Sequence, residues 1–427
     1  MNRPQDLKIP GLGWLRSSRR LGLILVALGL AAYFLLPAWA APPASNYDSL
    51  RLYTEALFEV SQKYVWPKNE EDLMYGSLRG MMNSLDPDSS FLTAKEYQNY
   101  LQGVQRAPAE AGMDLIVKDG LLTAVSVIDG GPAARAGLKP DDHIIKVDGQ
   151  MVRNLTTQEA ARRFQGASGT AFKLQLIRNG EVKPLDLTVT LEPLGGNTVT
   201  TGYLDNAVAY VRIRYFNGET PVELTKALNN IKQHQPAVKG IILDLRNNAR
   251  GSMEEAVRSA SLFLGNQQIL LAKGRSTKTE QSFTGKDRDL VFKSLPPLVV
   301  LVDEGTARAA EIMAAALRDQ ARATLLGAKT LGLCGLTKAF PLEDGSALVM
   351  TVAQCYGPKG EKIQGKGLEP EVPGQKPQAA KAQEKTPAQE KAPAQVKSPE
   401  QDPWVQQAND LLTSGKPKPV APKEPAS

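Results

Sequence analysis

Apolar runs alternate with helical segments between residues 208 and 318, and this alternation constrains the fold more than any other feature of the chain. Short, continuously apolar runs are typical of strands that are buried on both faces. Strands that alternate with helices indicate an α/β domain with a buried sheet. The strands are predicted over 208–215, 238–245 and 298–302, and the helices over 220–232, 253–264 and 307–318.

Two segments of different pattern precede this alternation. Residues 47–100 place Leu50, Tyr53 and Leu57 at helical spacing, which predicts helices. Residues 111–191 hold short strand-like runs separated by Gly, Asn and Asp turns, with a helix predicted over residues 157–165. A helical segment, a β-rich module and an α/β domain agree with the two or three domains expected of 427 residues.

Composition excludes several classes of function. The chain has 51 Lys and Arg against 45 Asp and Glu, which gives a net charge of +6. This excess of positive charge is small and is distributed over a long chain, so it does not predict a nucleic-acid partner. With 2 His and 2 Cys, the chain cannot form a zinc-finger array, and we expect neither a metal nor another cofactor. His143 and His234 stand in no pattern of nucleophile, histidine and carboxylate, and we expect ordinary roles for both.

The N-terminus predicts export. Three arginines precede an apolar run over residues 21–36, and Ala38, Trp39 and Ala40 have the small-x-small form of a signal peptidase site. The apolar run is also long enough to remain as a membrane anchor, so residues 1–41 are either a signal peptide or an N-terminal anchor. Both alternatives place the folded part in the periplasm, free or anchored in the inner membrane, with this segment as the only membrane contact.

Residues 374–427 have the composition of a disordered tail, because they are rich in Pro, Ala, Lys and Gln and nearly devoid of apolar residues. One island interrupts this composition. Asp402 can cap a helix whose apolar stripe runs from Trp404 to Leu412, which predicts a short helix over residues 402–414. We expect this helix to dock on the body of the protein or on a partner.

Five short segments of the chain stand out as motifs, namely residues 85–92, residues 130–138, residues 244–248, Glu311-Ile312 and residues 344–347. In this order they resemble motifs of the tail-specific (C-terminal processing) peptidases, a family of exported serine endopeptidases. Residues 85–92 are similar to the family's Leu-Asp-Pro-His-Ser-Ser-Tyr-Leu, with Asp88 at the position of the histidine. Residues 130–138 resemble a PDZ signature, and residues 244–248 resemble the strand end before the family's oxyanion loop.

The resemblance extends over residues 47–373 and implies the fold class. That class is α/β + β, with a helical N-terminal segment, a PDZ domain and a crotonase/ClpP-like α/β protease domain. The implied boundaries are 46–103 for the helical segment, 104–192 for the PDZ domain and 193–373 for the protease-like domain.

A PDZ domain binds an extended peptide as an added strand, with the peptide's C-terminal carboxylate in a loop of backbone N–H groups. The partners implied are therefore protein C-termini or unfolded peptides. The residues expected at this site are Gly112, Met113, Asp114 and Leu115 in the carboxylate-binding loop, and Ala161 and Phe164 in the side-chain pocket. The alternative is a PDZ fold that only packs against its neighbours.

The family's catalytic Ser–Lys dyad is missing from the matching positions. Arg308 stands in the nucleophile slot, Leu333 in the base slot, and Thr337 at the glutamine that positions the base. A guanidinium is neither a nucleophile nor a usable base, because its pKa stays above ~12. Since leucine cannot accept a proton, the resemblance implies a protease fold without its catalytic residues.

The oxyanion loop also departs from the family pattern. The family's Asn-Asn-Pro-Gly-Gly corresponds here to Asn247 followed by Asn248, Ala249, Arg250 and Gly251. An oxyanion hole depends on backbone N–H groups that a fixed turn aims at the reacting oxygen. We expect the alanine and arginine in this loop to change that aim.

Arg308 has two interpretations. A cation at a helix N-terminus is disfavoured by the helix dipole, so Arg308 should be exposed or paired, with Glu311 as the nearest carboxylate. In the first interpretation, the arginine arose by drift after catalysis was lost. In the second, it forms an anion or peptide-carboxylate site in the former cleft.

The favoured function is a proteolytically inactive member of the family that binds peptides through its PDZ domain and acts as a scaffold or regulator in the bacterial cell envelope. An active relative or another envelope protein is the expected partner. The alternatives are an active serine-type endopeptidase with relocated catalytic residues, and a purely structural envelope protein whose tail recruits a partner. The candidates for relocated residues are Ser252, Lys329, Cys334 and Lys338.

The two cysteines are candidates for a disulfide. The Asp-Gly pair at 344–345 predicts a two-residue hairpin turn, and counting outward from it places Cys334 directly opposite Cys355. An exported protein can keep such a bond. A register slip of one residue would place the two thiols on opposite faces of the hairpin, and the alternative is two small buried hydrophobic residues.

Overall fold

The computed structural model describes residues 46–101, 109–118, 120–152, 157–204, 207–234, 238–276, 280–292, 294, 296–375 and 399–414. The predicted signal peptide or anchor over residues 1–41 lies outside these ranges, as does most of the tail. The chain divides into two compact units, residues 1–74 and residues 75–427.

The N-terminal part is helical. Its elements are α1 (Asn46–Lys63), α2 (Glu70–Asn83), the short strand β1 (Ser90–Leu92) and α3 (Ala94–Leu101). Within the first unit, the Tyr53 hydroxyl donates a hydrogen bond to Met74 Sδ at 3.2 Å. No helix in the described part of the chain combines the length and the apolar composition that crossing a membrane requires.

The β-rich module is an antiparallel sheet with the strand order β3-β4-β5-β8-β9, to which β6 adds beside β5 and β2 pairs separately with β7. Buried and exposed side chains alternate along β8, where Phe172, Leu174 and Leu176 face the module's core. Its elements are β2 (Ala109–Glu110), β3 (Met113–Lys118), β4 (Leu121–Val127), α4 (Pro132–Arg135), β5 (His143–Val147), β6 (Gln150–Met151), α5 (Thr157–Arg163), β7 (Gln165–Gly166), β8 (Ala171–Ile177) and β9 (Leu185–Thr190). The predicted helix over 157–165 thus ends two residues early, because Gln165 pairs in β7.

The α/β domain has the sheet order β10-β11-β12-β15-β16-β19, parallel throughout except for β10. The central strands β12 and β15 are fully buried, which agrees with their predominantly apolar sequence. Its elements are β10 (Val199–Leu204), β11 (Val208–Ile213), α6 (Thr220–Gln233), β12 (Gly240–Asp244), α7 (Met253–Leu264), β15 (Leu298–Val302), α8 (Ala309–Asp319), β16 (Thr324–Gly327) and β19 (Val372–Pro373). Side chains of α6, α7 and α8 form the main core with one face of this sheet.

A second sheet flanks the domain in the order β1-β18-β13-β14, with β17 also paired to β18. The additional elements are β13 (Gln268–Gly274), β14 (Gln281–Thr284), β17 (Gly335–Pro341) and β18 (Ala347–Tyr356). Strand β1 adds residues 90–92 to this sheet, because Phe91 of β1 pairs with Leu348 of β18.

The predicted two-residue turn between β17 and β18 is wrong. The Leu342 N–H donates to the Ser346 carbonyl at 2.8 Å, and Gly345 has a φ of 83°, so the loop contains three residues and ends in a left-handed glycine. Near the turn, Pro341 consequently pairs with Ala347, one residue away from the predicted register.

A second irregularity, directly after Leu336, restores the predicted register farther out. Gly335 pairs with Gln354, and Cys334 and Cys355 form a disulfide with a Cα–Cα distance of 5.6 Å. The two departures from an ideal hairpin cancel, which brings the thiols to the same face of the ladder.

The tail helix α9 (Pro403–Thr413) covers the other face of the parallel sheet. Asp402 caps this helix by accepting from the N–H groups of Trp404 and Val405, and its other carboxylate oxygen accepts from Arg246 at 2.8 Å. The helix is therefore part of this protein's own core. The buried side chains that α9 contributes are Val405, Ala408 and Leu412.

Candidate functional site

An open cleft of about 770 Å³ lies between the β-rich module and the α/β domain. It brings the sequence-predicted peptide site and the former nucleophile slot into one space. Residues from both predicted sites line it, among them Gly112, Leu115, Ala161, Phe164, Arg250 and Arg308.

The module's side of the cleft is formed by the start of β3 and by α5. Gly112 precedes β3 with a φ of 72°, and a Cβ there would come within 3.1 Å of Leu194, so this position requires glycine. Leu115 is buried and Ala161 is exposed, while the Phe164 ring packs against Phe172 at a centroid distance of 5.0 Å. The structure thus places the predicted pocket residues on one side of the cleft.

Arg308 is the N-cap residue of α8, with φ 51° and ψ −117°, a conformation that costs residues other than glycine on the order of 1–3 kcal/mol. Its Nη2 donates to Asp88 Oδ1 at 2.8 Å, and its Nη1 donates to the Ala249 carbonyl at 2.8 Å. Burial lowers the pKa of Arg308, but the Asp88 carboxylate outweighs it and the net pKa is raised. The prediction that Glu311 pairs with Arg308 is wrong, because the guanidinium reaches across the cleft to Asp88.

Glu311 instead holds the segment that follows β16. It accepts hydrogen bonds from the Thr330 hydroxyl, from the Gly332 N–H at 2.7 Å and from the Leu333 N–H at 2.9 Å. Burial raises the pKa of this carboxyl to about 7, and the hydrogen bonds that it accepts oppose the rise. A carboxyl inside α8 therefore fixes the backbone of the former base slot.

Leu333, in the base slot, is buried in an apolar cluster that joins the two sides of the molecule. Ile116 and Val125 come from the β-rich module, while Ala249 and Ala307 come from the α/β domain. An apolar side chain at this position removes the cost of burying a lysine and adds contact between the modules.

Arg250, in the former oxyanion loop, spans the cleft to the module. Its Nη1 donates to Glu110 Oε2 at 2.8 Å, its Nε to Asp114 Oδ1 at 3.0 Å, and its Nη2 to the Met113 carbonyl at 3.3 Å. Burial lowers the pKa of Arg250, but the Asp114 and Glu110 carboxylates outweigh it and hold the net pKa above its ordinary value. Asp114 thus serves in this ion pair, at the carboxylate end of the predicted peptide groove.

The rest of the oxyanion loop is also tied down. The Asn248 amide donates to the Ile213 carbonyl at 2.9 Å, and Gly251 has a φ of 123°, where a Cβ would lie 2.3 Å from Phe216 Cβ. Asn247 bonds β4 through its side chain, accepting from the Val127 N–H at 2.8 Å and donating to the Val127 carbonyl at 2.5 Å. The sequence analysis did not predict the contact between Asn247 and Val127, because the motif at the end of a strand does not indicate which distant residue its side chains will bond.

The four candidates for relocated catalytic residues do not form a dyad with one another. Ser252 caps α7 and accepts from the Glu255 N–H at 3.2 Å, and Cys334 is in the disulfide. Lys329 and Lys338 are exposed, whereas a lysine base needs a desolvated site. Thr337, at the glutamine slot, pairs with Thr351 in the β17–β18 ladder.

Sequence comparison identifies the family to which this cleft belongs. The chain is 34% identical over 339 residues to the carboxy-terminal processing protease CtpA of Bacillus subtilis (strain 168), covering 79% of this chain and 71% of that protein. This chain belongs to peptidase family S41. The model of that family matches residues 207–373, and a PDZ domain model matches residues 123–178.

Two further comparisons support the S41 assignment. The carboxy-terminal-processing protease of Bartonella bacilliformis is 31% identical over 335 residues, covering 78% of this chain and 76% of that protein. Among solved structures, the photosystem II D1 C-terminal processing protease matches with a TM-score of 0.63 at 25% identity, over 76% of this chain and 92% of that one. The expected fold class, with a helical N-terminal segment, a PDZ domain and an S41 protease fold, is confirmed.

Proposed function

We propose that this S41 protein binds protein C-termini or unfolded peptides through its PDZ domain and does not cleave them. The observation that carries this proposal is the ion pair between Arg308, in the nucleophile slot, and Asp88. A guanidinium held in this way offers neither a nucleophile nor a base, and losing catalytic groups of this kind typically costs ~10⁴ to 10⁶ in rate.

The contacts of the replaced residues favour a rebuilt cleft over drift. Arg308 pairs with Asp88, Arg250 pairs with Glu110 and Asp114, and Leu333 packs between the two modules. If these three residues had changed by random drift after catalysis was lost, unpaired charges and voids would be expected at their positions. Each of the three instead makes specific contacts across the cleft. The same ion pairs argue against a free anion site at Arg308, because its guanidinium already has a carboxylate partner.

Peptide binding is supported by the geometry of the PDZ domain. The β3 edge, α5 and Gly112 keep the shape that strand addition requires, with an apolar wall of Leu115 and Phe164. Arg250 reaches from the α/β domain to the start of β3, where it bonds Glu110, Asp114 and the Met113 carbonyl.

The alternative is an active endopeptidase, which the similarity to carboxy-terminal processing proteases favours. We also propose, from the N-terminal sequence, that the protein is exported and acts as a scaffold or regulator in the cell envelope, with an active relative or another envelope protein as partner. Fractionation of cells, followed by detection of the chain with the periplasmic or membrane fraction, tests export; recovery in the cytosol alone would contradict it.

Binding of synthetic peptides to the purified protein tests the main proposal. N-acetylated heptapeptides with free C-termini are titrated by calorimetry and should bind in the micromolar range. The same peptides with amidated C-termini are the matched control and should lose binding, because the carboxylate loop then has no anion to receive. Equal affinity for the free acid and the amide would contradict binding at this groove. The peptides should also remain intact after long incubation with the protein, because the proposal is that it does not cleave them.

A further inference from the structure

We infer that the PDZ groove reads only the last three residues of a peptide, because Thr157 closes the β3 edge beyond that point. This inference rests on the proposed function and concerns the substrate class of the same groove. It follows from the directions in which the backbone N–H and carbonyl groups point at three positions on β3, namely Met113, Leu115 and Val117.

Leu115 presents its backbone polar groups to the groove. Leu115 is paired with Ala124 of β4, and Ala124 uses its N–H for the Asp142 carbonyl at 2.9 Å and its carbonyl for the Asp141 N–H at 2.7 Å. Since Ala124 directs both groups away from β3, the pair is of the non-hydrogen-bonded kind, and Leu115 likewise directs its N–H and carbonyl away from β4.

Met113 has the same orientation. It is paired with Val127, whose N–H and carbonyl both bond to the Asn247 side chain. The Met113 carbonyl accordingly points toward the cleft, where Arg250 Nη2 lies 3.3 Å from it. The carboxylate end of the groove is therefore at Met113.

Val117 is the next position on the same edge, because groups two residues apart on a strand point the same way. Its N–H is already used, since it donates to the Thr157 hydroxyl at 3.2 Å. Thr157 is the first residue of α5, so the helix closes onto the strand here. On β3 the cleft is lined by Met113, Asp114 and Leu115, and this wall stops before Val117.

The register of a bound peptide follows from these positions. A peptide whose carboxylate lies in the loop before β3 runs antiparallel to that strand, with its last residue opposite Met113. Its third residue from the end then pairs with Leu115, and its fifth faces Val117. At that fifth position the Thr157 hydroxyl already lies where a peptide carbonyl would have to accept from the Val117 N–H, so residues upstream of the third lose this ladder hydrogen bond.

A truncation series tests this inference. The probe is the tightest binder from an array of N-acetylated heptapeptides in which the last three positions vary among Ala, Val, Leu, Phe, Lys and Asp. That heptapeptide and its five- and three-residue C-terminal fragments are titrated against the full protein. The three affinities should agree within about threefold, since Thr157 occupies the position where the fifth residue would pair with β3. In the Thr157→Val variant the pentapeptide should bind about fivefold more tightly than the tripeptide, because one ladder hydrogen bond becomes available.

Thr157→Ser is the matched control, because it keeps the acceptor oxygen and should retain equal affinities for all three lengths. Equal melting temperatures check that both variants fold. If the unaltered protein binds the heptapeptide ten times more tightly than the tripeptide, the inference is wrong while peptide binding stands. If no peptide of the array binds, the proposed function fails and the inference falls with it.

Discussion

The guanidinium of Arg308 lies 2.8 Å from the carboxylate of Asp88, although the two residues are 220 positions apart in the chain. Each stands where the motif of the related peptidases has a different residue, serine in one case and histidine in the other. Two departures from a shared motif thus meet as an ion pair, and this pair connects the nucleophile slot to the segment before β1.

A double-mutant cycle measures this pair. Both side chains are largely shielded, with exposed fractions of 26% and 15%, so Arg308→Met and Asp88→Asn should show a coupling energy of about 1–2 kcal/mol in the free energy of unfolding. The same cycle on Arg288 and Asp289, where the N···O distance is 3.7 Å and the arginine is 78% exposed, is the control and should give a coupling near zero. Additive effects at Arg308 and Asp88 would show that the pair contributes nothing.

Glu311 should make stability depend on pH. Its pKa is about 7 when folded against 4.5 ordinarily, so the folded state binds more protons between these values. The free energy of unfolding contributed by this group is therefore highest below pH 4.5 and falls, by on the order of 3 kcal/mol, as the pH rises to about 7.

Denaturant titrations from pH 4.5 to pH 8 check this prediction. Glu311→Gln should remove that fall, whereas Glu254→Gln, an exposed change on α7, should keep the profile of the unaltered protein. A profile that Glu311→Gln leaves unchanged would mean that the carboxyl titrates near its ordinary value in the folded protein.

The docking of α9 depends on glycines that make room for its side chains. A Cβ at Gly374 would lie 2.3 Å from the Trp404 ring, so Gly374→Ala should lower the free energy of unfolding by about 1–3 kcal/mol. Combined with Trp404→Ala, the same change should cost much less than the sum of the two single effects, because the clash is gone. Gly202→Ala is the control, since nothing lies within 4 Å of a Cβ there. Strict additivity would indicate that α9 does not pack at Gly374.

The disulfide closes the segment that carries the former base slot. Replacing both Cys334 and Cys355 with serine should lower the free energy of unfolding by roughly 3 kcal/mol, because the bond joins residues 21 positions apart and restricts the unfolded chain. Thiol titration of the denatured, unreduced protein should detect no free thiol, and two after reduction. Two free thiols without reductant would rule the bond out.

Local sequence patterns were sufficient for most of the fold. The apolar runs that predict β12 and β15 and the amphipathic segment that predicts α7 depend on neighbours along the chain, and the structure has these elements close to the expected bounds. Helix α8 begins at Ala309 rather than at residue 307, because Arg308 adopts a positive φ.

The cleft was less predictable because its contacts join residues far apart in sequence. Arg250 reaches Asp114 over 136 positions, and no periodicity or spacing encodes such a pairing. The hairpin shows the same limit on a smaller scale, since the register at Cys334 depends on a three-residue loop and a bulge that offset each other.

Turnover of unfolded β-casein by the purified protein is the most direct measurement of whether this S41 cleft is catalytic. We predict no cleavage above buffer for the unaltered chain, and little for the Arg308→Ser, Leu333→Lys double variant, because Arg250 still holds the former oxyanion loop to the PDZ domain. The carboxy-terminal processing protease CtpA of Bacillus subtilis, assayed in parallel, is the positive control. Cleavage by the unaltered chain that disappears in the Arg308→Ala or Cys334→Ala variant would contradict the proposal that this protein binds peptides without cutting them.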